Sequence, residues 1–227
     1  MRRLLSASIA TACLVLCCAQ AGADTLQLNN YTYGSAGVSV HVNGGATPDT
    51  NYSGGAGEFS GVLNGSPFAT YCLDLYQTFN WGATYTNYVP TALPAQMAQD
   101  LGKLVTKYRA GVDSADKSAA FQLAVWEIEY ESGGGGYSLS SGVFTETGNS
   151  TARGIAEGWL GDLGTLNTVQ VQVLASPTNQ DFLLVRAVPE PSSYAMLIGG
   201  LGLLAFTARR QRRQPAAQAA ARPVGRR

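Results

Sequence analysis

Cys72 is the residue of this 227-residue chain whose chemistry most needs an account. The other three cysteines, Cys13, Cys17 and Cys18, lie in an N-terminal apolar stretch that reads as an export signal. Its removal leaves Cys72 alone in a compartment where thiols oxidise. Three fates are open to its sulfur: buried and inert, paired with another molecule, or already bonded to something other than sulfur. Tyr71-Cys72-Leu73-Asp74 has strand character, so Asp74 falls on the strand face of Cys72, as an orienting group or a turn-bonding acid. His41 is the one histidine. Beside Cys72 it would make a hydrolase pair, but it falls on the polar side of its own strand pattern, and that reading is the weaker. Glu127 and Glu131 share a helix face, with Glu129 pointing elsewhere. Without a nearby histidine they read as a solvated face, and no metal and no cofactor is implied. Gly133 to Gly136 opens no phosphate-binding helix and reads as a loop.

The elements that must position these residues lie between two terminal segments. Residues 1–23 have a basic start at Arg2 and Arg3, an apolar run from Leu4 to Cys18, and small residues Ala21-Gly22-Ala23 at a cleavage site. That is the layout of a secretory signal peptide, with Asp24 as the first mature residue. The formal net charge of zero hides a segregation of charge. Residues 24–188 hold fourteen acids against six basic residues, a net of −8. An acidic body repels nucleic acid and anionic lipid, which excludes a nucleic-acid partner.

Within the body, residues 24–90 read as β structure with polar turns. Gly37 to Val42 alternates apolar and polar as a half-buried strand does. Gly44 to Gly57 reads as a loop. Gly61 to Leu63 and Phe68 to Phe79 read as strands around an Asn-Gly-Ser-Pro turn at 64–67. Leu93 to Arg109 has helical spacing, and Asp113 or Ser114 is placed to cap a second helix running to about Glu131. On it Phe121, Ala124, Val125 and Ile128 form an apolar stripe. A short helix follows over Ala152 to Leu160, then strands over Thr168 to Leu174 and Phe182 to Val188. Strands at both ends with helices between them predict an α+β domain over 24–187: a β-rich sandwich or barrel with an inserted helical sub-domain.

Fifty residues beyond Cys72, Phe121-Gln122-Leu123-Ala124-Val125-Trp126 falls on that second helix. Together with Tyr71-Cys72-Leu73-Asp74 it resembles the thioester domains best known from surface adhesins of Gram-positive bacteria. In these, an aromatic-Cys segment on a strand meets a Gln-x-Ala-aliphatic-Trp segment on a helix. The resemblance implies an internal thioester, formed with loss of ammonia, in which Cys72 supplies the sulfur and Gln122 the acyl carbon. Tyr71, Asp74 and Trp126 would flank the bond, and its burial would keep water out until a target docks. The family often has Thr before the glutamine; Phe121 stands there in this chain. A thioester is an activated acyl group. An amine or hydroxyl of a surface or matrix target attacks the Gln122 carbonyl, the Cys72 thiolate leaves, and an isopeptide or ester link remains. This happens once per molecule, so the expectation is covalent adhesion and not an enzyme.

Val188-Pro189-Glu190-Pro191 precedes a charge-free run over 192–208, and Arg209, Arg210, Arg212 and Arg213 follow at once. As a helix that run is about 26 Å long, at the lower limit for one transmembrane span. The arginines would stop translocation. This end, residues 188–213, resembles the PEP-CTERM sorting signal of Gram-negative bacteria. The resemblance implies an exosortase as partner, the cytoplasmic membrane as a transient anchor, and cleavage near the triplet. The destination would be the cell envelope or the extracellular matrix, in cells that commonly make exopolysaccharide and biofilm. Residues 214–227 read as a disordered basic tail. The alternative reading of the whole is a non-covalent matrix protein that binds exopolysaccharide through aromatic and Asn/Thr-rich loops.

Overall fold

The computed structural model describes residues 23–43, 49–131, 136–187 and 191–213. The signal peptide but for its last residue, most of the glycine run, Val188, Pro189, Glu190 and the tail over 214–227 lie outside the described residues. In chain order the elements are β1 (Asp24–Tyr31), β2 (Ala36–Val42), β3 (Thr50–Ala56), β4 (Phe59–Leu63), β5 (Ser66–Thr70) and β6 (Thr84–Ala92). Then come α1 (Ala95–Tyr108), α2 (Ala115–Glu131), β7 (Phe144–Glu146), α3 (Ser150–Leu160), β8 (Val169–Ala175), β9 (Phe182–Ala187) and α4 (Pro191–Arg213). A 3₁₀ turn at Arg109–Gly111 extends α1.

The strands form a six-stranded sheet in the order β5-β4-β1-β6-β8-β9 and a three-stranded sheet in the order β3-β2-β7, with antiparallel pairing throughout. The β4–β5 hairpin turns on Asn64 and Gly65, at φ 50° and 78°. Positive φ at both central residues is what a two-residue hairpin of the right twist requires, and Asn-Gly is the pair that supplies it. The large sheet curls until its two end strands meet. Just past β5, Cys72 bridges to Phe182 of β9. The Leu183 N–H donates to the Tyr71 carbonyl at 3.0 Å, and the Leu73 N–H to the Asp181 carbonyl at 2.9 Å. The Thr70 hydroxyl donates to the Leu183 carbonyl at 2.7 Å. Together these contacts form a closing seam.

The α+β expectation holds, with a curled antiparallel sheet and four α-helices among the described residues. Helix α2 is buried on every side from Ser118 to Ile128. It packs against α3, α1 and the three-stranded sheet, which is the setting of a helix apolar all round rather than on one stripe. Three expectations need correction. Residues 50–56 form a strand, not a loop. Its glycines allow close approach: a Cβ on Gly54 would meet the Tyr52 hydroxyl at 2.6 Å. The strand expected over 68–79 ends at Thr70, beyond which Cys72 makes a single bridge. The expected transmembrane helix over 192–208 is also corrected. A helix forms there, but among the described residues no helix is long and apolar enough to cross a membrane. Its uncharged run falls short of the ~30 Å hydrocarbon core, and Gly199, Gly200 and Gly202 dilute it. Leu197, Ile198, Leu201, Leu203, Leu204 and Phe206 stand exposed along it.

The supposed solvated face is a fourth correction. Glu127 is fully buried and accepts the Ser138 N–H at 2.6 Å through Oε1. Glu131 accepts the N–H groups of Val143 and Phe144. The two carboxylates tie the chain after the glycine run to the end of α2. Burial pushes the Glu127 carboxyl up to about 7, with the charges of Glu131 and Glu157 adding to it. The folded state therefore holds this proton more tightly than the unfolded chain, where a glutamate titrates near ~4.3. The Glu127 contribution to stability is complete below that value, falls as pH rises toward about 7, and is then lost. Glu127→Gln keeps an acceptor for Ser138 and removes the titration. Urea midpoints measured from about pH 5 to about pH 8 should fall less steeply in the variant than in the wild type.

Candidate functional site

The seam sends Tyr71 and Cys72 to opposite faces, as adjacent strand residues must go. Tyr71 stacks on Phe121 at 4.5 Å between ring centroids, with the Arg109 guanidinium 6.0 Å over its ring. It packs behind the site and is not among the residues lining the cavity. Cys72 faces α2 and meets Gln122 there. The Gln122 Oε1 accepts the Cys72 N–H at 2.9 Å, and Gln122 Nε2 donates to the Cys72 carbonyl at 2.7 Å. Gln122 is 1% exposed. Its carboxamide takes the place of a neighbouring strand, satisfying both backbone groups of residue 72. Regular pairing therefore stops here without leaving buried polar atoms unpaired.

That pairing has chemical content. The Gln122 carbonyl carbon is held beside residue 72, and its oxygen already rests on a backbone N–H, the arrangement that stabilises charge developing on an acyl oxygen. The Cys72 S–H donates to the Asp74 carbonyl at 2.7 Å, and the Gln180 side-chain N–H donates to the sulfur. Burial pushes the Cys72 thiol well up, and the charge of Asp74 adds to this. Glu129 and Asp181 act in the same direction, while the indole N–H of Trp126 opposes them. The sulfur is therefore held as a thiol.

Asp74 acts as a turn-bonding acid. Its Oδ1 accepts the N–H groups of Tyr76 and Gln77, both at 3.0 Å, and its Oδ2 accepts the Asp181 N–H at 2.8 Å. Among the described residues, one buried carboxylate oxygen of Glu129 has no partner. Burial, then the charges of Asp74 and Asp181, raise its carboxyl well above the usual range.

Above Cys72 and Gln122 lies a cavity of about 230 Å³, walled by Tyr31, Tyr52, Phe59 and Trp126. Tyr52 meets Trp126 edge to face at 5.8 Å, and Tyr31 meets Trp81 at 5.1 Å. Trp81, 45% exposed, forms part of the rim. The hydroxyls of Tyr31 and Tyr52 both donate to the Gly55 carbonyl, at 2.9 and 2.7 Å, which fixes both rings over β3. Of the flanking residues expected from sequence, Trp126 lines the cavity, Asp74 holds the turn beneath the sulfur, and Tyr71 faces away.

The structure does not unite His41 with Cys72. His41 Nε2 pairs with Asp49 at 2.7 Å on the surface. Sequence reading missed Gln180, Tyr31, Tyr52 and Trp81. Gln180 stands 108 residues from Cys72, in a polar turn with no motif of its own. Trp81 had a signal, a large aromatic in an Asn-Trp-Gly turn.

Residues 187–213 match the PEP-CTERM protein-sorting motif. No curated protein and no solved structure matches the chain. The motif marks an exported protein, held transiently at a membrane and processed by an exosortase. Of the sorting residues, Pro191, Arg209, Arg210, Arg212 and Arg213 fall within α4, and Val188, Pro189 and Glu190 outside the described residues.

Proposed function

We propose that the body of this exported protein is a covalent attachment domain, in which Cys72 and Gln122 condense into an internal thioester that a surface or matrix nucleophile later opens. The single observation carrying the reading is the two-bond pairing of the Gln122 carboxamide with the backbone of Cys72, buried at the seam. Condensation joins Sγ to the Gln122 carbonyl carbon and releases ammonia, with the thiol proton leaving on the nitrogen. The reverse opening takes an amine or hydroxyl, returns the proton to sulfur, and leaves the target acylated on Gln122. The aromatic wall limits water at the acyl carbon, which favours a docked target over hydrolysis. The site acts once and does not turn over.

The intact mass of the mature exported protein tests this. The wild type should be lighter than its sequence by one ammonia, resist thiol alkylation, and gain one methylamine on incubation with that amine. Cys72→Ala should keep its full sequence mass and gain no methylamine. A full-mass wild type with a freely alkylated Cys72 would sink the reading. The exposed Trp81 rim and the ring-lined cavity would then favour non-covalent binding of exopolysaccharide in a biofilm matrix, through ring stacking on sugars.

A further inference from the structure

We propose that Gln180 is a catalytic residue of this site: its side-chain N–H holds the Cys72 sulfur as the acyl bond breaks. The inference rests on the thioester reading and concerns the leaving group, which the Cys72–Gln122 pairing leaves without an account. Gln180 Nε2 donates both to Sγ and, at 3.0 Å, to the Asp74 carbonyl. The residue is held from several sides. Its N–H donates to the Thr78 carbonyl at 3.3 Å, and its carbonyl accepts the Tyr88 hydroxyl at 2.8 Å. The next residue, Asp181, is fixed by the Asp74 carboxylate. Before it, the Ser176 hydroxyl accepts the N–H groups of Thr178 and Asn179. A side chain at the end of a turn so anchored meets the sulfur at little further entropic cost.

The surroundings explain why a donor is needed. Among the described residues, those lining the cavity include no lysine, arginine or histidine. Asp74, and Glu129 and Asp181 when ionised, act on the sulfur from the chain segments around it and disfavour negative charge there. A departing thiolate in this setting has only oriented N–H groups to receive its charge. The Trp126 indole N–H also favours charge on the sulfur, but among the described residues it has no hydrogen-bond partner, and Gln180 makes the direct contact.

In the opening step the amine nitrogen bonds to the Gln122 carbonyl carbon. The C–S bond breaks, and its electron pair goes to Sγ against the Gln180 N–H. The surplus amine proton then passes to sulfur, giving the thiol that donates to the Asp74 carbonyl.

The experiment follows methylamine incorporation by mass in the full exported chain. Gln180→Met keeps length and removes the donor. It should slow incorporation about a hundredfold or more, the range for loss of a single oriented donor. It should also raise the pH at which the released Cys72 thiol becomes alkylated. Gln180→Arg restores a donor with positive charge and no nucleophilic amine, and should recover the rate and lower that pH. An ammonia-deficient Gln180→Met protein that reacts at the wild-type rate, with an unshifted thiol profile, overturns the inference. So does an ammonia-deficient Gln180→Arg protein no faster than Gln180→Met. A wild type at full mass overturns the thioester itself, a separate result read before any variant is compared.

Discussion

Gln122→Leu should abolish methylamine incorporation and be less stable by about 3 kcal/mol than Cys72→Ala, which keeps the whole carboxamide, as the loss of two buried hydrogen bonds implies. The two effects have different origins, and Cys72→Ala separates them. Leucine removes the acyl carbon and strips the N–H and C=O of Cys72 of their partners. Each buried backbone group left unpaired costs roughly 1–3 kcal/mol. Leucine packs well inside α2 and returns part of the loss, so the net falls in the lower half of the roughly 2–6 kcal/mol for the pair. Cys72→Ala keeps the backbone pairing and loses only the sulfur, so it should be equally unreactive at a smaller cost in stability. Urea denaturation of the three proteins gives the comparison. A Gln122→Leu protein as stable as Cys72→Ala would mean that the carboxamide pairing carries no structural load.

Arg109→Met should cost about 2–3 kcal/mol, less than the ~3–5 kcal/mol of breaking a fully buried ion pair from one side, because the Arg109 side chain is 25% exposed. Glu58 is 5% exposed, and Arg109 Nε donates to its Oε2 at 3.1 Å. Arg109 Nη2 also donates to the Ala69 carbonyl at 2.9 Å, beside the seam. Methionine supplies the alkyl length and none of the donors. It strands the Glu58 carboxylate and removes the cation over the Tyr71 ring. The double variant Arg109→Met with Glu58→Gln no longer buries an unpaired charge and should recover more than half of the loss. Thermal or urea denaturation decides it, and equal instability of the single and double variants would refute the account. Both variants touch the wall behind the site, so they also report how far seam and site share one fate.

Part of this arrangement was legible in the chain. The 3.6-residue spacing over α1 and α2, the alternation in β2 and the Asn-Gly turn at 64–65 each follow from local geometry, and each element formed as read. The lone exported Cys72 and the glutamine fifty residues later were also visible as residues. Their pairing was reached through a resemblance, because a carboxamide taking over backbone bonds leaves no periodic trace. The strand β3 was misread because Gly54 and Gly55 look like loop residues. They serve instead as the flat floor for two tyrosine rings. Glu127 was misread because charge was taken as a sign of water, and its partner is a backbone N–H across an interruption in the chain pattern. Gln180 was out of reach because sheet closure, not sequence proximity, brings it to the sulfur.

The last strand also sets a polarity. β9 starts at Phe182, bridged to Cys72, and ends at Ala187, where the sorting motif begins. Five steps at about 3.3 Å each separate the two by roughly 17 Å. The sorting segment thus leaves from the far end of β9, while the ring-lined cavity lies by the strand's beginning. Held by its C-terminal end, such a body points its mouth away from whatever holds it. Severing the chain just past that end would free the whole unit without removing a single rung of the sheet.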